Sequence, residues 1–143
     1  MSKVELESRF HIVMEKYAKD LLIEANTLKN MIFQTILPDA YGYRKLLADS
    51  LASMKSCGID ISKSPELATF EELTSHTFAL KSSAEKLVKV IEKVNSVEGQ
   101  AQAVTANEEL FPLLEEVRLT ADAVEAKSGD KFWSLPKYNE LLF

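Results

Sequence analysis

Residues 4–37 read VELESRFHIVMEKYAKDLLIEANTLKNMIFQTIL, with no glycine, no proline and apolar residues at helical spacing throughout. The stripe Met14, Tyr17, Leu21, Ala25, Leu28, Ile32, Ile36 advances by three, four and four residues, twice over. Such an eleven-residue repeat is close to the natural winding of a straight helix, so the stripe keeps to one side with little supercoiling. Ile12, Ile23, Met31, Phe33 and Leu37 fall on other faces, and a helix apolar on several sides calls for neighbours on several sides. At 1.5 Å per residue the run would extend about 50 Å. The rest of the chain reads as cover for this strut.

A chain of 143 residues is enough for one hydrophobic core, so a single domain over residues 1–143 is expected. Four glycines, four prolines, 46% hydrophobic residues and no strand-like alternation favour an all-α fold. The formal charge of -5, with bases interspersed among acids, argues against nucleic acid, which needs Lys and Arg gathered on one face. No apolar run approaches the ~20 residues of a membrane span, and no signal-peptide core opens the chain, so cytoplasm is the expected compartment. The single cysteine, Cys57, has no partner for an internal disulfide.

Ser2 and Glu5 have the spacing of a capping box, which starts the first helix at once. Pro38 interrupts it by removing a backbone donor. Helical spacing resumes through Tyr43, Leu47, Leu51 and Met54, so a long helix over residues 2–56, kinked at Pro38, is expected; a turn there would make four helices of three. Gly58 stops this helix, and Ile59 and Ile61 are expected to pin the connector to the core. Ser64-Pro65 then supplies an N-cap and a first-turn proline for a helix over residues 65–95. Its seam, Phe70, Leu73, Thr77, Leu80, Ala84, Leu87, Ile91, Val94, alternates steps of three and four, the period of helices that pack lengthwise. A third helix is expected over 101–127, kinked near Pro112.

Residues 130–143 form a different kind of segment. Phe132, Trp133, Leu135, Tyr138, Leu141, Leu142 and Phe143 crowd into a short tail that Pro136 keeps from being one regular helix. Aromatic groups of this size bury their surface where they can. The tail is therefore expected to dock on something, with Trp133, Leu135, Pro136, Tyr138, Leu141, Leu142 and Phe143 as its interface.

Catalytic signatures are missing. His11, His76 and Cys57 do not cluster at zinc-ligand spacing, and neither histidine has the Glu three residues before it that a di-iron bundle uses. The glycines are dispersed singly, unlike a phosphate loop. His76 sits on a bundle helix as the histidine of phosphotransfer domains does, but Lys81 follows five residues on and Ser82 next, where those domains have the lysine at three and then a glycine. A partly buried structural histidine is the simpler reading. No catalytic, cofactor or metal residue is assigned.

A family does match in three blocks: SRFHIVMEKYAKDLLIEANTLKNMIFQTILPDA from Ser8, NEELFPLLEEVRLTADAVEAK from Asn107, and FWSLPKYNELLF from Phe132. The IEANTL block at Ile23 to Leu28, Ile36-Leu37-Pro38, and the terminal set Trp133, Pro136, Tyr138, Leu141, Leu142, Phe143 resemble the C-terminal region of the type III glutamine synthetases. Residues 58–97 match less closely. The resemblance implies an antiparallel helical bundle with an apolar tail, belonging to an enzyme that joins glutamate and ammonia with ATP and Mg or Mn and assembles into large homo-oligomers. None of the strand-built active site it implies is in this chain. A non-catalytic structural and assembly domain, contacting the catalytic domain or neighbouring subunits, is thus the expected role. The alternative is a stand-alone helical-bundle interaction module.

Overall fold

The capping box forms as its spacing predicts: Ser2 Oγ accepts the Glu5 N–H at 3.2 Å while Glu5 Oε2 accepts the Ser2 N–H at 3.4 Å. This start is seen in a computed structural model that describes residues 2–135. Helix α1 covers Lys3–Met31, a π turn covers Ile32–Ile36, and α2 covers Leu37–Ser56 with no break in helical backbone between them. Helix α3 is Pro65–Asn95, α4 is Gln100–Thr105, a second π turn is Ala106–Leu110, and α5 is Phe111–Lys127. A single 3-10 turn, Asp130–Phe132, follows. The described residues contain no strand.

Chain reversal at Pro38 does not occur. The irregularity lies in the turn before it, where the Leu37 N–H reaches back to Ile32 O. Pro112 is treated identically, with the Phe111 N–H bonded to Ala106 O. A π turn carries one residue more than an α turn and so leaves one ladder bond unmade. Placing a proline, which has no N–H to offer, directly after the π bond puts the missing donor where a bond is already lost.

Helix α2 ends in a Schellman arrangement: Ile59 N–H bonds Met54 O at 3.1 Å and Gly58 N–H bonds Lys55 O at 3.0 Å, with Gly58 at φ 80°. Ser64 caps α3 through Oγ to the Leu67 N–H at 3.3 Å. The connector is not pinned as expected, because Ile59 is 54% exposed and only Ile61 is half-buried. The Schellman bonds hold the turn from within, so Ile59 has no core position to fill.

By contact the described residues divide into two compact units, residues 2–30 with 83–118 and residues 31–82 with 119–135. In the first unit Lys86 pairs with Glu116 at 3.8 Å and Lys93 with Glu109 at 2.8 Å. Later positions on α3 meet earlier ones on the following helix, so the two run antiparallel. Tyr17 donates to Asn107 Oδ1 at 2.8 Å and Glu24 pairs with Arg118, which sets α1 parallel to that helix. Buried Ala18, Leu21, Ala25, Ala84, Leu87, Ile91, Val94, Ala103, Ala106, Leu110, Leu114 and Val117 belong to this unit. In the second unit Ile32, Ile36, Leu37, Ala40, Leu47, Leu51, Leu73, Thr77, Leu80 and Val124 are buried, and Lys127 pairs with Glu72 at 2.8 Å. The seams read from α1 and α3 are thus the buried faces. The second apolar set on the first helix is not: Ile12 and Ile23 are 63% and 66% exposed, and Leu37 alone of the five is buried.

Candidate docking site

The second unit builds a seat for the start of the tail on one face of α2. Asp39, Gly42 and Tyr43 lie within one turn there and so share that face. A Cβ on Gly42 would stand 3.5 Å from Phe132 Cδ1, and one on Gly129 would stand 3.2 Å from the Tyr43 ring. Small residues at both places let chain and ring approach closely. The Tyr43 and Phe132 rings then pack with centroids 5.7 Å apart. One residue beyond Trp133, the Asp39 carboxylate accepts the Ser134 N–H at 2.7 Å and the Ser134 hydroxyl at 3.0 Å. Bonds to an ionised acceptor are among the stronger ones available to a surface loop.

Of the residues expected at the interface, Trp133 and Leu135 are half-buried. Pro136, Tyr138, Leu141, Leu142 and Phe143 lie outside the described residues. The Trp133 indole N–H is enclosed and finds no acceptor among the described residues. Sequence reasoning named the tail but missed its seat. The available signal was Gly42, a gap between Tyr41 and Tyr43 on a helix.

The remaining chemistry is sparse. Among the described residues no three of His, Cys, Asp and Glu come together in a way that could hold a metal ion. His11 is exposed, and His76 is half-buried near Glu72, whose carboxyl is held below its ordinary range chiefly by a hydrogen bond from Lys127 and then by that lysine's charge. No described helix is long and apolar enough to cross a membrane.

A family described as the glutamine synthetase C-terminal domain matches residues 1–55. Along its whole length the chain is 32% identical to a type-3 glutamine synthetase of Dictyostelium discoideum. The chain belongs to the C-terminal region of the type III glutamine synthetases. Glutamine synthetases of Bacteroides fragilis and Butyrivibrio fibrisolvens are 28% and 32% identical over 99% of the chain. In each case the chain spans 20% of the length of the synthetase it matches. These alignments cover 99–100% of the chain and so include residues 58–97, which lie outside the family model's match.

Proposed function

We propose that this chain is a non-catalytic structural and assembly element of a type III glutamine synthetase, an enzyme of the cytoplasm that joins glutamate and ammonia at the expense of ATP. The observation that carries the reading is the end-to-end similarity to a fifth of each synthetase. Two features of the seat support a contact role. The tail is fastened to α2 by Asp39 and Tyr43, and the enclosed indole N–H of Trp133 has no acceptor among the described residues. Buried donors find partners in the great majority of cases, so this one suits a surface completed by more polypeptide, from the catalytic domain or a neighbouring subunit. ATP and Mg or Mn would then bind in the rest of the enzyme.

The test takes the complete synthetase and compares it with a form carrying Trp133→Ala and Phe132→Ala. A smaller assembled mass by light scattering, with the subunit still folded by circular dichroism, is expected. Unchanged mass with glutamine synthesis lost would instead put these residues in the catalytic apparatus and overturn the reading.

A further inference from the structure

The second unit carries another concave site, lined by none of the residues that hold Phe132 and Ser134. Tyr41 and Arg44 of α2 with Thr77, Phe78 and Lys81 of α3 form a groove of about 250 Å³. All five belong to that one unit. The aromatic walls are bare, with Phe78 70% and Tyr41 41% exposed. Thr77 is buried and donates its hydroxyl proton to Leu73 O at 2.6 Å, so it gives the groove no donor.

Two cations meet there without an anion. Arg44 is half-buried, with its guanidinium 5.5 Å from the Tyr41 ring centroid, and it makes no ion pair or hydrogen bond among the described residues. Lys81 is exposed and unpaired among them as well. A charge withdrawn from water is ordinarily paired, and an aromatic face answers a guanidinium only in part. The acids along these helices do not fill the gap. Asp49 pairs with Lys45 at 2.8 Å, and Glu85, four residues beyond Lys81 on α3, is not among the lining residues. Glu85 is one turn from Lys81 and tempers its charge. Arg44 is therefore the principal receptor for an anion, and its planar fork matches a carboxylate.

We propose that this groove binds a small aromatic carboxylate, with its ring against Tyr41 and Phe78 and its carboxylate on Arg44 beside Lys81. The volume sets the size: it falls under the ~300–1,000 Å³ of drug-sized sites, which leaves room for one ring with a short acidic arm. The charges set the class. An amino acid would bring its ammonium among two cations, with no carboxylate in the lining to receive it. Inorganic phosphate would satisfy the cations and leave the rings bare. Such binding is a property beyond assembly, carried by the second unit alone, and it does not depend on the synthetase reading.

A proton–nitrogen NMR titration of the full chain tests it, with phenylacetate as the probe. Phenylacetamide removes the charge, acetate removes the ring, and phenylalanine adds the ammonium. Phenylacetate is expected to shift the amides around residues 41–44 and 77–81 saturably. Each of the other three should bind weaker by about tenfold or more, the scale of one hydrogen bond to a charged group. Arg44→Met should lose a similar factor, and Phe78→Ser, at an exposed position, supplies a second groove variant that should also bind more weakly. Lys89→Met, on α3 but outside the lining, should bind as the unaltered chain does. Circular dichroism verifies that each variant is folded. No saturable shift, shifts gathered elsewhere on the chain, phenylacetamide or phenylalanine binding as well as phenylacetate, or undiminished binding by either groove variant would each overturn the proposal.

Discussion

Asp39 holds Ser134 with both carboxylate oxygens, one on the backbone N–H at 2.7 Å and one on the hydroxyl at 3.0 Å, across 95 residues of sequence. This pair closes the second unit by fastening the residues after α5 to the first turn of α2. Trp133, the only tryptophan in the chain, is its immediate neighbour. Asp39→Ala should therefore shift Trp133 emission to the red and destabilise the fold by about 1 kcal/mol, the ordinary net worth of such bonds at a surface. An unchanged emission spectrum would show that Phe132 and Tyr43 hold the segment without Asp39.

Leu80 is fully buried on the α3 seam. Leu80→Asp places an unpaired carboxylate there at a cost of roughly several kcal/mol, a large share of the stability of a small protein. Thermal melting should show the cooperative transition lost or moved far down. Phe78→Asp, two residues away at a 70% exposed position, should melt close to the unaltered chain.

Glu72 carries a pH signature. Its folded pKa lies below the ordinary value of 4.5, first because of the hydrogen bond from Lys127 and then because of that lysine's charge. A lowered carboxylate contributes stability above its unfolded pKa, and the contribution disappears as pH falls through the folded one. Glu72→Gln should melt below the unaltered chain near neutral pH, and the two curves should converge as pH drops under 4.5 towards the lowered value. A difference that persisted undiminished in acid would mean the pair is not electrostatic in origin.

Each π turn holds one residue more than an α turn would. Deleting exposed Gln34 together with Pro38→Ala should thus let Ile32–Ile36 close into ordinary helix while Leu47 and Leu51 keep their places on the seam. Deleting Glu24 from regular α1 would instead rotate every seam residue on one side of it by about 100°. The first variant is expected to melt cooperatively and the second to lose its transition.

The helices were legible because their signals are local. Ser2 with Glu5, Ser64-Pro65 and Gly58 mark termini by chemistry that acts within a few residues, and the stripes through Leu21 and Leu80 report which face is covered. What the sequence hid depends on neighbours far along the chain. The exposure of Ile12 and Ile23 follows from how many helices surround α1, which periodicity does not count. Pro38 announced a disturbance but not its form, since a kink, a turn and a π turn all relieve a missing donor. The seat at Asp39, Gly42 and Tyr43 was invisible for the same reason: its partners, Phe132 and Ser134, lie about 90 residues away. Family likeness, by contrast, was carried by short blocks such as IEANTL, and it extends along the whole chain.

The most direct test of a non-catalytic assembly role is the solution mass of the complete synthetase with and without the segment corresponding to residues 2–135, measured by light scattering alongside glutamine formation. The expected result is a fall from the assembled oligomer to smaller species that keep a folded catalytic portion. An oligomer of undiminished subunit number after the deletion would contradict it.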